Sequence, residues 1–238
     1  MEEALEGGNT TPGVVKSGDS VRRPRGRRSM FAAKVLRDLN AHSYRWAPQY
    51  LGVDDEGRDV LSFIEGATTS HPSERDERCY AVMGRILREL HELTRSTELA
   101  AGGACIVHGD PGPFNVVMRD GMPVALIDWD SAHAGDPLTD VGYAGWTWCI
   151  QAVGHVPVEE QARRLREFAR GYDTALPPNA LIDAVERAQL HIVQVEGRNM
   201  DDLSLSEVRR AHARAAVEWA ANDHRVLEEN RELFRQAL

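Results

Sequence analysis

The 238-residue sequence has little cysteine, little lysine and no long apolar run. Its three cysteines, Cys79, Cys105 and Cys149, lie far apart and form no Cys-x-x-Cys pair, so neither a disulfide framework nor a cysteine-based zinc site is indicated. No stretch approaches the roughly 18 apolar residues of a membrane span. The first residues also lack the basic and then apolar order of a signal peptide. We therefore expect a cytoplasmic location and no membrane partner.

Two common hydrolase patterns are also absent. The nine histidines form no His-x-x-x-His pair, which disfavours a zinc hydrolase. The sequence contains no Gly-x-Ser-x-Gly segment, which disfavours the common serine hydrolases. Neither class is a candidate for this chain.

Acidic residues outnumber basic ones, 37 to 28, which gives a formal net charge of −9. Residues 1–66 hold ten of each sign, so the whole acidic excess lies in residues 67–238. A nucleic-acid partner would require a basic face, and we expect none. The acidic excess suits a cationic ligand, although a solvated acidic surface explains it equally well.

The residue pattern changes near Gly66, with short strand patterns before it and helical patterns after it. We predict an α+β protein with a small antiparallel sheet and one helix in residues 1–66, and a larger, mainly helical lobe in residues 67–238. The first lobe should have three strands around a Gly-rich loop and a Ser17-Gly18-Asp19 turn, then a helix from an N-cap at Ser29 to Ala41, then a hairpin of 49–53 and 59–64. The second should have a helix beginning near Ser70, a hairpin of 116–118 and 124–127, and helices at about 137–152, 158–173, 179–196 and 205–235.

Two sets of apolar residues predict burial. The last helix should bury a face that carries Val208, His212, Ala215, Trp219, Val226 and Leu233. A second set is aromatic, and core packing is favoured over a substrate-binding wall for Trp129, Tyr143, Trp146 and Trp148.

The segment His108-Gly109-Asp110-Pro111-Gly112-Pro113-Phe114-Asn115 carries the chemistry, together with Asp128 thirteen residues further on. It delivers two carboxylates and a carboxamide to the ends of short strands. Phosphoryl transfer uses such a set, because one carboxylate orients the hydroxyl nucleophile while two oxygen donors hold Mg²⁺. Asp110 could instead cap a turn, but the three residues together favour the catalytic interpretation.

Residues 106–149 resemble the catalytic core of the aminoglycoside phosphotransferase and choline-kinase-like family, which has a protein-kinase-like fold. The resemblance extends more weakly over nearly the whole chain. It implies Asp110 as the catalytic base, Asn115 and Asp128 as Mg²⁺ ligands, and His108 as a structural histidine. It also implies that Asp140 braces the catalytic loop.

The resemblance further implies a nucleotide site in residues 1–66. A phosphate-covering loop would comprise Gly7, Gly8, Asn9, Thr10, Thr11 and Gly13, although a simple turn would also explain these glycines. Arg22 or Arg23 would replace the family's phosphate-binding lysine. The position of Arg22 relative to Pro24 favours Arg22. The following helix contains no glutamate to pair with that cation. The strand and hinge that meet the base would present Ser62, Phe63 and Ile64.

The implied activity is Mg²⁺-dependent transfer of the γ-phosphate of ATP or GTP to a hydroxyl of a small molecule, such as an aminoglycoside-like antibiotic. Antibiotic resistance is a role that this activity would serve. The candidate acceptor-binding residues are Asp130 and, around an expected helix break at 197–200, Glu196, Asp201 and Asp202. Because the usual lysine and glutamate are missing, a nucleotide- or ligand-binding protein with little transferase activity is the alternative.

Overall fold

The computed structural model describes residues 2–5, 13–69, 71–154 and 156–238. They form two compact units. The first unit comprises Met1–Asp76 and Glu89–Pro137, and the second comprises Glu77–Arg88 and Leu138–Leu238. The proposed functional division between residues 66 and 67 stays a prediction. None of the described helices combines the length and apolar character that crossing a membrane requires.

A five-stranded antiparallel sheet forms part of the first unit. Its strands are β1 Glu2–Ala4, β2 Val15–Ser17, β3 Ser20–Arg23, β4 Tyr50–Val53 and β5 Asp59–Ser62. They are arranged in the order β1-β2-β3-β5-β4. The predicted turn between β2 and β3 and the predicted β4–β5 hairpin are both confirmed. The sheet therefore presents one face of β3 and β5 to the cavity described below.

The helix α1, Ser29–Ala41, joins this sheet. Its predicted apolar face is confirmed, because Ala32, Val35, Leu36 and Leu39 are all buried. The predicted N-cap is wrong, since Ser29 is already helical and Arg28 occupies the cap position. The Ser29 hydroxyl instead accepts a hydrogen bond from the Gly26 N–H at 2.9 Å and so closes the preceding turn.

Four further strands of the first unit form two antiparallel pairs that carry the candidate site. The strands are β6 Cys105–Val107, β7 Val116–Arg119, β8 Met122–Leu126 and β9 His133–Gly135. Strand β6 pairs with β9, and β7 pairs with β8 in the predicted hairpin. The chain thus leaves β6 and enters β7 through one loop, and leaves β8 and enters β9 through another.

The remaining helices are α2 Cys79–Thr94, α3 Leu138–Cys149, α4 Val158–Tyr172, α5 Pro178–Asp201, α6 Glu207–Glu229 and α7 Arg231–Ala237. The predicted start near Ser70 is wrong for α2, because residues 72–74 form a separate short 3₁₀ helix; Ser70 itself lies outside the described residues. The predicted helices within 137–173 are confirmed to within a few residues.

The predicted helix break at residues 197–200 is wrong, because α5 continues to Asp201. A Cβ atom at Gly197 would meet no atom within 4 Å, so this glycine lies on an open face of the helix. One exposed glycine costs a helix only about 1 kcal/mol, which packing of α5 against α6 outweighs. The predicted helix 205–235 instead divides at Asn230 into α6 and α7.

The buried face of α6 also differs from the prediction. Val208 is 82% exposed, and of the other predicted residues His212 and Ala215 are exposed while Trp219, Val226 and Leu233 are half-buried. The buried positions are Ala213, Ala220, Asp223 and Leu227, followed by Phe234 in α7. Small alanines allow close approach of a neighbouring helix, and the pattern of large apolar residues did not reveal them.

Asp223 is a completely buried carboxylate of the second unit, as is Asp140. One of its oxygens accepts a hydrogen bond from the Trp146 indole N–H at 2.8 Å, and the other accepts from the Ala152 N–H at 2.6 Å. The rings of Trp146 and Trp219 stack with centroids 4.4 Å apart. Burial raises the pKa of Asp223 to about 6, although hydrogen bonds from Ala152, Trp146 and Trp219 oppose that rise. Core packing is confirmed for Trp129, Trp146 and Trp148, whereas Tyr143 is half-buried.

Candidate active site

The loop after β6 and the loop after β8 are joined at the ends of the β7–β8 hairpin. The Ile127 N–H donates to the carbonyl oxygen of Asn115 at 2.9 Å. This bond extends the hairpin pairing by one step, and it brings Asn115 alongside the residue that precedes Asp128. Local strand pairing therefore gathers groups that are thirteen residues apart in the chain.

His108 connects the same two loops through hydrogen bonds of its buried ring. Its ring is completely buried. Its Nδ1 accepts the Asp110 N–H at 3.3 Å, so Nε2 carries the hydrogen that reaches the Ile127 carbonyl oxygen at 3.0 Å. The ring also lies edge-on to Trp129, with centroids 4.7 Å apart. This arrangement agrees with a structural role and leaves no ring nitrogen for proton transfer.

Gly109 is required by two independent features of its position. Its φ is +82°, a region that residues with a Cβ rarely adopt. A Cβ atom there would also lie 2.5 Å from the carbonyl oxygen of Ser131. The glycine thus allows the Asp110 loop to pack directly on the backbone of the Asp128 loop.

Asn115 fixes the carboxylate of Asp110. Its Nδ2 donates to Asp110 Oδ2 at 2.9 Å and to the Asp110 carbonyl oxygen at 3.0 Å. Both side chains are half-buried. Because the amide nitrogen is committed to Asp110, the amide oxygen of Asn115 is the atom that remains to bind a cation.

Asp128 adopts a left-handed backbone conformation, with φ 59° and ψ 67°. Aspartate tolerates this conformation better than most residues. The short 3₁₀ helix Trp129–Ser131 follows directly, and Trp129 anchors it by burying its ring and donating its indole N–H to the Leu126 carbonyl oxygen at 3.0 Å. The backbone turn and this anchor together direct Asp128 into the cavity.

Arg23 faces these carboxylates, whereas the sequence favoured Arg22. The Arg23 guanidinium hydrogen-bonds to Asp130 and lies 3.5 Å from Asp128. Arg22 points to the opposite face and lies 3.6 Å from Asp54. The expected alternation holds. The signal that was missed is Val21, an apolar residue on the same face as Arg23 that already marks the cavity side of β3.

A cavity of about 500 Å³ lies within the first unit. Its polar end is formed by Arg23, Asn115, Asp128 and Asp130. The rest of the lining is mainly apolar and includes the predicted hinge, and its main residues are Leu5, Val14, Val21, Leu61, Ser62, Phe63, Ile64, Val117 and Ile127. Tyr50, Asp59 and Thr68 are further polar members. The cavity therefore joins a largely apolar chamber to a charged end.

The predicted hinge residues Ser62, Phe63 and Ile64 all line this cavity. The Phe63 N–H donates to the Asp19 carbonyl oxygen at 2.8 Å. Within the part of the chain that the structure describes, neither the N–H nor the C=O of Ile64 has a hydrogen-bond partner. Polar backbone groups beside an apolar cavity are costly unless they are paired, so this edge is suited to a ligand with complementary donors and acceptors.

The other predicted site residues lie elsewhere. Gly7, Gly8, Asn9, Thr10 and Thr11 fall outside the described residues, and Gly13 follows them with a φ of +83°. Leu5 and Val14, on either side of that segment, both line the cavity. Of the predicted phosphate-covering loop, the structure therefore describes Gly13 and the flanking residues Leu5 and Val14.

The three predicted acceptor-binding residues of α5 and its end belong to the second unit, whereas first-unit residues line the cavity. Glu196 forms an ion pair with Arg209 at 2.7 Å. Asp202 caps a turn, and its hydrogen bonds from Ser204 lower the pKa of its carboxyl group. Asp201 is exposed. An acceptor-binding role for this group stays a prediction.

Comparison with known proteins matches residues 17–178 to the model of the phosphotransferase enzyme family, APH. The chain belongs to this family. A trifolitoxin immunity protein from Rhizobium leguminosarum bv. trifolii is 32% identical over 237 residues, which cover 85% of this chain and 89% of that protein. The predicted family resemblance is therefore confirmed.

Solved structures confirm the fold. A choline/ethanolamine kinase family protein from Mesorhizobium loti is 18% identical with a TM-score of 0.56, and the match covers 94% of this chain and 89% of that one. The spectinomycin phosphotransferase APH(9)-Ia, in complex with ADP and spectinomycin, is 12% identical with a TM-score of 0.59, over 86% and 83% of the two chains. The protein thus has the predicted α+β, two-lobed, protein-kinase-like fold.

Proposed function

We propose that this protein transfers the γ-phosphoryl group of ATP or GTP to a hydroxyl group of a small molecule. The supporting observation is the way that the Asp110, Asn115 and Asp128 loops are bonded together in a chain of the phosphotransferase enzyme family. Such transfer depends mainly on positioning and charge stabilisation. The buried links through His108 and Gly109 supply that rigidity.

The nucleotide base would enter the apolar chamber of the cavity. There its edge would pair with the backbone N–H and C=O of Ile64, and its faces would contact side chains such as Val21 and Ile127. The phosphates would then reach Arg23 at the charged end. Arginine is suited to this contact because its planar group offers several donors to phosphate oxygens. The ADP in the related spectinomycin phosphotransferase structure is in keeping with nucleotide use.

Asn115 and Asp128 fit a bound Mg²⁺ ion. Both offer oxygen atoms, which this metal prefers. The amide nitrogen of Asn115 donates to Asp110, so the amide oxygen is the atom that would bind the cation. Asp128 lies at a long 3.5 Å from Arg23, and its side chain is 34% exposed. When bound, Mg²⁺ would neutralise charge on the nucleotide phosphates.

Asp110 would orient the acceptor hydroxyl and accept its proton. Its Oδ2 is held by Asn115, so the carboxylate has a fixed direction when the acceptor arrives. The acceptor itself would be a small hydroxyl compound, and the acidic excess of residues 67–238 is compatible with one that carries amino groups. Asp130, Glu196, Asp201 and Asp202 were the residues proposed from the sequence to meet it, and Asp130 is reassigned below.

A second candidate function is protection against a toxin by binding. The relationship to the trifolitoxin immunity protein favours it. In this case the chain would bind a toxin, or a nucleotide, with little or no phosphoryl transfer. The missing lysine and helix glutamate favour a nucleotide- or ligand-binding protein with little transferase activity, but Arg23 supplies a cation at the charged end of the cavity.

Transfer of labelled γ-phosphate decides between the two candidates. Purified protein would be incubated with Mg²⁺ and either ATP or GTP, and with a panel that includes aminoglycosides, macrolides, choline, sugars and a peptide toxin. We expect label in one hydroxyl compound, and no label with the Asp110→Asn variant. Tight binding of a panel member with no transfer to any compound would favour the protective binding function.

A further inference from the structure

Arg23 needs a partner that holds it at the charged end of the cavity. Arginine side chains have many rotamers, and fixing one costs up to about 2 kcal/mol of conformational entropy. Yet this side chain is only 12% exposed and extends from the end of β3 toward the Asp128 loop. The residue that fixes its direction therefore matters for any ligand that the guanidinium binds.

Helix α1 does not supply that partner. All of its residues are described, and its only acid is Asp38. Asp38 lies beside His42, with Nδ1 of the imidazole 3.7 Å from its carboxylate. The neighbouring cation Arg25 is directed to Asp59 at 3.2 Å, so that buried acid is engaged elsewhere.

Asp130 makes the close contact. Its Oδ2 accepts a hydrogen bond from Arg23 Nη2, whereas Asp128 Oδ1 lies 3.5 Å from Arg23 Nη1. The carboxylate of Asp130 is in turn held by the short 3₁₀ helix that the buried Trp129 anchors. Among the described residues Arg23 Nε has no hydrogen-bond partner. One side of the guanidinium is thus fixed while donors remain for a phosphate group.

We propose that Asp130 is a positioning residue that holds Arg23 for the nucleotide phosphates, a task that no residue of α1 performs. The inference rests on the proposed function and adds to it, since it moves Asp130 from acceptor recognition to nucleotide binding. With Mg²⁺ bound, Asp128 would contact the metal and not Arg23, and Asp130 would keep the guanidinium in place.

Calorimetric titration of ATP, with and without Mg²⁺, tests this role in wild type, Asp130→Asn, Arg23→Gln and the double variant. We expect Asp130→Asn to weaken ATP binding about tenfold under both conditions, as for the loss of one charge-assisted hydrogen bond. The double variant should bind no more weakly than Arg23→Gln alone, because the two residues act as a unit. Asp130→Glu should recover part of the affinity.

Kinetics and a matched control separate positioning from general damage. Asp130→Asn should raise the KM for ATP about tenfold and change kcat less than about threefold. Asp38→Asn makes the same substitution at the only acid of α1, and it should leave ATP binding and the melting temperature unchanged. A loss of ATP affinity in Asp38→Asn would overturn the assignment of the partner to the Asp128 loop.

Three further results would overturn the inference while leaving the proposed function intact: additive losses in the double variant, tighter ATP binding by Asp130→Asn, or a defect seen only with Mg²⁺. The second would identify Asp130 as a competitor of the phosphates, and the third as a metal ligand. Wild-type protein that binds neither ATP nor GTP would overturn the proposed function together with this inference.

Discussion

The carboxylates at the candidate site of the first unit and the buried carboxylate of Asp223 in the second unit differ in their exposure and in their hydrogen-bond partners. In the first unit Asp110, Asp128 and Asp130 are half-buried, and their partners are other polar side chains at the end of a cavity. In the second unit Asp223 is completely buried among tryptophans. Half-buried carboxylates can exchange partners when a ligand arrives, whereas a buried one that accepts several hydrogen bonds holds its surroundings in a single arrangement.

This contrast separates function from stability. If it is correct, substitutions in the first group should impair transfer and leave folding nearly unchanged, and substitution of Asp223 should do the opposite. Substitutions that change only one of the two regions can test this separation.

The largest effect is expected from Asp110→Asn. Asparagine still accepts the hydrogen bond from Asn115 but cannot take a proton, so kcat for transfer should fall about a thousandfold. The melting temperature should stay within about 1 °C of wild type. Rates measured with the labelled acceptor and a thermal melt provide the two readouts.

The matched control is Asp120→Asn, the same change at an exposed position in the β7–β8 turn with a φ of 51°, which asparagine also adopts. It should leave both readouts unchanged. An Asp110→Asn enzyme with near wild-type kcat would remove Asp110 from the mechanism.

The substitution Asp223→Ala should lower the free energy of unfolding by about 3–5 kcal/mol. It leaves the N–H groups of Trp146 and Ala152 buried without an acceptor. Chemical denaturation would measure the loss. Glu218→Gln, at an exposed position of the same helix, should change stability by less than about 0.5 kcal/mol. Equal losses of unfolding free energy in the two variants would show that Asp223 does not stabilise the fold through its hydrogen bonds.

Gly109→Ala should cost about 3 kcal/mol of stability and also reduce transfer, because it adds a clash with Ser131 to backbone strain. Gly102→Ala is the matched control, since its φ is +93° but an added Cβ meets nothing within 4 Å. That variant should lose only about 1 kcal/mol. Denaturation curves with equal midpoints for the two variants would argue against close packing of the two site loops.

The pH dependence of stability gives the smallest and most specific effect. The pKa of Asp223 is about 6 in the folded protein, above its ordinary value of 3.8, so the folded state retains a proton that the unfolded state has lost. The stability of wild type relative to Asp223→Asn should therefore fall as the pH rises from about 4 to 6, by no more than about 3 kcal/mol. A difference that is constant over this range would contradict the raised pKa.

The sequence indicated that Asp110, Asn115 and Asp128 come together, but it assigned Asp130 to the acceptor and gave no sign of a buried carboxylate at Asp223. The β7–β8 hairpin explains the first result, because its pairing brings Asn115 next to Ile127, twelve residues further on. Asp223 could not be foreseen, because its partners Trp146 and Ala152 lie more than 70 residues away in the chain. Long-range packing also explains why the buried face of α6 was predicted wrongly. Close packing against another helix buries Ala213 and Ala220, and not the larger apolar residues.

The sequence could not decide which of Arg22 and Arg23 faces the cavity, and the reason is local. Alternation along β3 was correct, but it required one fixed point to decide which residues face the cavity, and Val21 supplies that point. The partner Asp130 lies 107 residues further on, and no residue pattern links it to β3. Long-range ion pairs of this kind follow from the fold and not from spacing.

The most direct test of the central claim is the dependence of ATP binding on Mg²⁺, measured by titration in wild type and in Asp128→Asn. Because Asn115 and Asp128 would share the metal beside Asp110, Mg²⁺ should tighten ATP binding to wild type at least about tenfold and should have little effect on the variant. Equal enhancement by Mg²⁺ in both proteins, or none in wild type, would contradict the account of a phosphotransferase site built on these three residues.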